Sequence, residues 1–321
     1  MKILIATYPF GETGRRPLDI LEATGWELVA NPYKRRLKAG EVAKHLADVD
    51  AVIAGTEPYT EETLADASRL KVISRVGIGL DNVDLAYCQR RGIKVTYTPE
   101  APSDGVAELT VANILNLLRH IHESDRSVRE QAWNRLMGHL VREVTIGVLG
   151  VGRIGSRVIR LLEPFHAKIL ACDIDPVAQK TKMPESVKWC EVDHLLAESD
   201  VVTVHIPLNT QNHYFMNRVR MSRMKTGAML VNTSRGGVID ENALVDALRQ
   251  RHLGGAALDV FEKEPYEGPL TRMDNVVLTA HIGASARESR YLMELSAAED
   301  CVRVLQREQA LNGAQEADSY R

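Results

Sequence analysis

Long hydrophobic runs are missing from this chain of 321 residues. The longest stretch of apolar residues and glycine is seven, Ile146 to Gly152, against roughly 20 for a membrane-spanning helix. The N-terminal run Met1–Ala6 is too short for a secretory signal and reads as a first strand. Cysteine is scarce. Cys88, Cys172, Cys190 and Cys301 lie far apart with no C-x-x-C pair, which argues against a structural zinc site or a disulfide framework and for a reducing compartment, the cytoplasm. No pair of histidines has the H-x-x-x-H or H-E-x-x-H spacing of a metal site. Neither sign of charge dominates, with 40 Lys and Arg against 43 Asp and Glu. That balance argues against a protein that coats nucleic acid or an acidic membrane. Aromatic residues are only 5% of the chain, which disfavours bulky aryl substrates.

What is present is an alternation of short apolar runs and longer helical patterns, over a length that fits two domains. Lys2–Ala6, Trp26–Ala30, Ala51–Ala54, Lys71–Ser74 and Ile93–Val95 read as strands of a first unit. Each is nearly continuously apolar, as in a parallel sheet covered by helices on both faces. Two prolines, Pro99 and Pro102, then mark a crossing between units. A helix is expected from about Gly105 to His122, followed by a polar segment, 123–143, that has the look of a projecting arm. A second alternating unit begins at Val144, with a strand over Lys168–Cys172 among its members. An amphipathic helix, roughly Ala286–Ala310, ends the pattern, and the polar tail from Asn312 is expected to fray.

The most informative motif is Gly150-Val151-Gly152-Arg153-Ile154-Gly155. Alone, such a string is weak. Here a buried-strand pattern precedes it and a helical one, Ser156–Leu162, follows. Gly150 permits the tight turn, Gly152 lets a pyrophosphate approach the backbone, and Gly155 lets helix and strand pack closely. Asp173 ends the next strand, 18 residues after Gly155. A carboxylate there accepts hydrogen bonds from ribose hydroxyls and repels a 2′-phosphate, so the expected cofactor is NAD.

Ligands of an open parallel sheet bind beyond the carboxyl ends of its strands. Those ends deliver His205-Ile206-Pro207, Thr233-Ser234-Arg235, Phe261–Glu264 and His281. A guanidinium binds a carboxylate bidentately, a histidine exchanges a proton near neutrality, and an adjacent carboxylate stabilises the imidazolium. Arg235, Glu264 and His281 therefore suit hydride transfer on a 2-hydroxy acid. A phosphorylated substrate would need further cations, for which Arg75, Arg135 and the run Lys34-Arg35-Arg36 are candidates.

Over nearly its whole length the sequence resembles the D-isomer-specific 2-hydroxyacid dehydrogenases, the family that includes D-3-phosphoglycerate dehydrogenase. The carriers are Ser74–Asp84, Val106–Leu109, the Gly150–Gly155 loop, His205–Leu208, Asn232–Gly237, Ala257–Pro265 and His281–Gly283. The resemblance implies an α/β chain of two doubly wound parallel-sheet domains, Rossmann- or flavodoxin-like. A cofactor domain, 100–285, would be inserted into a split substrate domain, 1–99 and 286–321, with closure by hinge motion. It implies Arg235, Glu264 and His281 as the catalytic set. Gly150, Gly152, Arg153, Ile154, Gly155, Asp173, His205, Pro207, Thr233 and Asp259 would serve the cofactor, Asp259 at the nicotinamide amide. Val76 and Gly77 would offer N–H groups to the substrate carboxylate, beside Arg75. A homodimer through 105–143 is implied, with no metal, nucleic acid or membrane partner. The expected substrate pair is 3-phosphoglycerate and phosphohydroxypyruvate. The alternatives are glyoxylate or hydroxypyruvate reduction, or a non-catalytic NAD(H)-sensing scaffold. Pro102 stands where relatives often have Asn, so a polar contact there is in question. The chain is also short for the C-terminal regulatory domain of some phosphoglycerate dehydrogenases, so control by serine through such a domain is not expected.

Overall fold

A computed structural model describes residues 1–175, 183–184 and 187–314. The last part of the polar tail, 315–321, lies outside the described residues. The chain forms two compact units, one of residues 1–102 with 284–321 and one of residues 103–283. It crosses between them at 102/103 and 283/284, a few residues from the crossings expected at 99/100 and 285/286.

The first unit has five parallel strands: β1 (Lys2–Ile5), β2 (Glu27–Ala30), β3 (Ala51–Ala54), β4 (Val72–Arg75) and β5 (Lys94–Thr96). Their order is β2-β1-β3-β4-β5. Every residue of β3 and β4 is buried, the consequence of helices on both faces. Local chemistry stops and starts the helices. Asp84 caps the Leu85–Arg91 helix by accepting from the Tyr87 N–H, and Gly92 ends it at φ +70°. The C-terminal helix Arg287–Leu305 belongs to this unit because Met293, Ala297, Ala298 and Cys301 bury themselves against Ile3, Ile5, Ile53 and Val72. Ser74 Oγ donates to the Ala297 carbonyl at 2.7 Å across the same contact.

The second unit has seven strands: β6 (Thr145–Leu149), β7 (Lys168–Cys172), β8 (Val187–Trp189), β9 (Val201–Val204), β10 (Ala228–Asn232), β11 (Leu253–Leu258) and β12 (Val276–Leu278). All pair in parallel, in the order β12-β11-β10-β9-β6-β7-β8. The chain reverses its winding at β6, which lies between β9 and β7. That switch point opens a crevice beyond the carboxyl ends of the strands.

The helix expected to run to His122 is interrupted. It spans Ser103–Arg119, breaks at His120 (φ +51°) and resumes as Ile121–Arg129. The segment after it is less polar in effect than its composition indicates, because Ile121, Val128, Trp133, Met137 and Leu140 are exposed. Among the described residues no helix is long and apolar enough to cross a membrane.

Candidate active site

The glycine loop follows β6 directly. Gly150 has φ +89°, and its N–H donates to the Cys172 carbonyl at 2.9 Å. A Cβ at Gly150 would meet the His205 carbonyl carbon at 2.8 Å. A Cβ at Gly155 would lie 2.0 Å from the Gly150 carbonyl oxygen, so the helix that starts at Arg153 presses on the turn. Gly152 is different. It caps that helix with no side chain, and among the described residues a Cβ there would meet nothing within 4 Å. The helix, with Arg153 and Ile154 in its first turn, thus opens beside clear space at its positive end, which suits a pyrophosphate.

Asp173 leaves the end of β7 and is fixed in place. Its Oδ2 accepts from the Val151 N–H at 2.6 Å and its Oδ1 from the Asp175 N–H at 2.8 Å. The carboxylate thereby stands at the rim of the glycine loop, where a ribose would lie. His205 follows β9, its N–H donating to the Leu149 carbonyl at 2.7 Å. Its Nε2 is 2.9 Å from Thr203 Oγ1, while Nδ1 is buried with no partner among the described residues. Burial pushes its pKa down to about 3, so the ring is neutral at pH 7. Pro207 follows, exposed. Thr233 is buried, its Oγ1 2.8 Å from Thr110 Oγ1.

Beyond β10–β12 the structure brings together the three residues expected for the chemistry. His281 Nδ1 is 2.9 Å from Glu264 Oε2, which leaves Nε2 as the ring nitrogen for proton exchange. Glu264 Oε1 accepts from the Phe261 N–H at 3.2 Å. Burial raises the Glu264 carboxyl, but the His281 hydrogen bond and charge, the Phe261 N–H and the Arg235 charge outweigh it, and the net shift is downward. The Arg235 guanidinium donates to the Ser234 carbonyl at 2.8 Å, and Asn232 Nδ2 holds the Arg235 carbonyl at 2.9 Å.

Asp259 has a job that motif spacing did not reveal. It is 1% exposed and accepts from the Ile282 and Gly283 N–H groups at 2.8 Å each and from Thr279 Oγ1 at 2.6 Å. Its carbonyl accepts from the His281 N–H at 2.9 Å. His281 has φ +53°, in the left-handed region that a non-glycine residue enters only when its surroundings impose it. Asp259 imposes it.

In the first unit, Val76 and Gly77 follow β4, but both N–H groups are engaged. Val76 donates to the Ala54 carbonyl at 2.9 Å and Gly77 to Thr98 Oγ1 at 2.8 Å. The expectation of two open donors is therefore corrected: a substrate would have to take them from these acceptors. Arg75 is 7% exposed and donates to the Val76 carbonyl. Among the offered cations, Arg35 is tied to Glu41 by two bonds of 2.9 and 2.7 Å. Pro102 is buried at the end of the first unit's N-terminal segment. Among the described residues there is no cluster able to hold a metal.

Residues 111–283 match the NAD binding domain of the D-isomer specific 2-hydroxyacid dehydrogenases. The chain is 39% identical to a glyoxylate reductase of Thermofilum pendens over 84% of this chain and 82% of that one. It is 35% identical to a D-3-phosphoglycerate dehydrogenase of Archaeoglobus fulgidus over 94% of this chain, which spans 57% of that relative's length. Among solved structures it is similar to the TT0316 protein of Thermus thermophilus, with a TM-score of 0.88, 33% identity and coverage of 98% and 99%. With a glycine cradle at the switch point and a histidine–carboxylate pair beyond the strand ends, the chain belongs to the D-isomer specific 2-hydroxyacid dehydrogenase family and is an NAD-dependent oxidoreductase of hydroxy acids.

Proposed function

We propose that the protein reduces a small unphosphorylated 2-keto acid, of the glyoxylate or hydroxypyruvate type, to the D-2-hydroxy acid, and catalyses the reverse. The observation that carries the chemistry is the 2.9 Å contact of His281 Nδ1 with Glu264 Oε2, with the Arg235 charge acting on the same carboxylate. In reduction, Arg235 binds the substrate carboxylate and polarises the keto oxygen. His281 Nε2 gives its proton to that oxygen, and Glu264 balances the imidazolium while the proton is held. Asp259 keeps the His281 backbone in the orientation this requires. NADH, when bound, would supply the hydride for this reduction. Gly150, Gly152 and Gly155 with the first turn at Arg153 and Ile154 would receive its pyrophosphate. Asp173 would take its ribose, and His205, Pro207 and Thr233 would line its path.

The substrate reading departs from the order set by the sequence. The phosphorylated pair needs cations besides Arg235, and Arg35 is already neutralised by Glu41. Arg75 keeps that second reading in play, as a guanidinium at the end of β4 beside Val76 and Gly77. Steady-state kcat/KM on glyoxylate, hydroxypyruvate and phosphohydroxypyruvate decides. At least one unphosphorylated acid is expected to be turned over faster, and a preference for phosphohydroxypyruvate over both would reverse the assignment. The same proposal includes the homodimer through 105–143, for which the exposed Ile121, Val128, Trp133, Met137 and Leu140 supply apolar surface.

The Glu264–His281 pair also sets a pH dependence of stability. A carboxyl whose folded value is lowered contributes stability that is complete above its unfolded value, 4.5 here, and is lost as pH falls through the lower folded value. Wild type is thus expected to melt above Glu264→Gln at pH 6, with the gap closing on acidification below 4.5. Melting curves of both proteins across that range check this, and a gap that widens toward acid contradicts it.

A further inference from the structure

The loop that carries Glu264 is held from outside by groups that take no part in the proposed chemistry. Glu262 N–H donates to Glu241 Oε1 at 2.7 Å, and Glu241 N–H donates back to Glu262 Oε1 at 3.3 Å. Tyr214 O–H donates to Glu262 Oε2 at 2.7 Å. Glu241 is the first residue of the Glu241–Arg249 helix, which Asp240 caps by accepting from the Ala243 N–H. Tyr214 lies on the β9–β10 connection at φ +52°, with its N–H on the Gly237 carbonyl at 2.8 Å. Two separate parts of the second unit thus meet on Glu262, two residues before Glu264.

The clasp also reaches Arg235. A Cβ at Gly236 would lie 1.9 Å from the Phe261 carbonyl carbon and 2.3 Å from the Glu262 nitrogen. The backbone next to Arg235 therefore rests directly on the backbone of the Glu264 loop. Phe261 is braced from its other side by Tyr266, the rings stacked at 4.5 Å between centroids. This contact and the Glu262 clasp lie between the Arg235 backbone and the His281–Glu264 pair.

We infer that Glu241 and Tyr214 are positioning residues for the reaction, holding Glu262 so that Glu264 stays aligned with His281 and Arg235. The inference rests on the catalytic set proposed above. What Glu241 contributes to the clasp is a hydrogen-bond acceptor for the Glu262 N–H, while its charge is opposed by those of Glu262 and Glu264. A glutamine retains that acceptor and an alanine does not. A misplacement near 1 Å costs up to about 100-fold in rate, and a partly exposed clasp is expected to give about tenfold.

Glu241→Ala is expected to lower kcat about tenfold, with the KM for the keto acid and the NADH dissociation constant within twofold of wild type. Glu241→Gln is expected to restore kcat. Tyr214→Phe is expected to lower it several-fold, and the double variant Tyr214→Phe/Glu241→Ala to lose less than the product of the two losses, since both act on Glu262. Wild-type kcat in Glu241→Ala overturns the inference. So does a loss in Glu241→Gln equal to that in Glu241→Ala, or a loss confined to KM. Glu241→Gln keeps the test open should the alanine variant fold poorly. The catalytic set is tested separately: retained turnover in Arg235→Ala sinks that reading, whereas an unaffected Glu241→Ala sinks only the clasp.

Discussion

Replacing Arg235 with alanine is expected to lower kcat/KM for a 2-keto acid by about 10³-fold while NADH binds within twofold of wild type. The size follows from the chemistry. A guanidinium that forms charge-assisted bonds to a carboxylate in a partly desolvated site is worth roughly 4 kcal/mol, and each 1.36 kcal/mol is a factor of ten. Arg235 comes off the end of β10 with its carbonyl held by Asn232 Nδ2 at 2.9 Å, so truncating the side chain leaves that backbone in place. The cofactor loop after β6 is built from other residues, which is why binding of NADH separates from turnover. Arg235→Lys is expected to recover little, because an ammonium cannot reproduce the two parallel bonds of a guanidinium. Stopped-flow NADH titration alongside steady-state rates gives both numbers. Turnover within tenfold of wild type in the alanine variant would remove Arg235 from the role of substrate anchor.

The second large effect is expected at Gly155. A Cβ there would sit 2.0 Å from the Gly150 carbonyl oxygen, and the obstacle is backbone, which has no rotamer to escape into. Gly150 cannot retreat, since its N–H is bound to the Cys172 carbonyl and its other side faces the His205 backbone. Gly155→Ala must therefore push the helix away from the turn. Overpacking of this kind costs about 1–3 kcal/mol, a fall in melting temperature of about 5 °C for a unit of this size, and it spoils the phosphate cradle as well. Gly152→Ala is the contrasting control. Nothing lies within 4 Å of a Cβ there, so its melting temperature is expected to match wild type while NADH binding weakens. Calorimetric melting and NADH titration of the two variants test the pair. Equal stability of Gly155→Ala and wild type would show that the loop is not closed in the way described.

Much of this was legible in the chain itself, and the reason differs from feature to feature. The strand Lys168–Cys172 has the span its apolar run predicts, because burial on both faces writes itself directly into consecutive residues. The glycine loop was legible because Gly150 and Gly155 answer steric demands that other residues do not meet, at a fixed spacing between a strand and a helix. The proximity of Arg235, Glu264 and His281 followed from one rule, that ligand-facing residues gather beyond the carboxyl ends of parallel strands. Boundaries were less legible. The break at His120 falls in a continuous helical pattern and depends on a left-handed residue whose type gives no warning.

The sequence by itself determined the alternating class of the fold, the cofactor loop and a candidate set of reacting side chains, since each rests on local periodicity or on residue chemistry. The tertiary structure alone decided how those side chains are aimed. The Asp259 carboxylate accepts from Thr279, Ile282 and Gly283, on both sides of His281 at φ +53°. The N–H groups of Val76 and Gly77 are taken by Ala54 and Thr98. Tyr214 and Glu241 reach Glu262 on the Glu264 loop from two other elements. None of these has a spacing to read. Each is a hydrogen bond between residues brought together only when the strands assemble in the order β12-β11-β10-β9-β6-β7-β8 or β2-β1-β3-β4-β5, and its direction is fixed by backbone geometry that no run of side chains encodes.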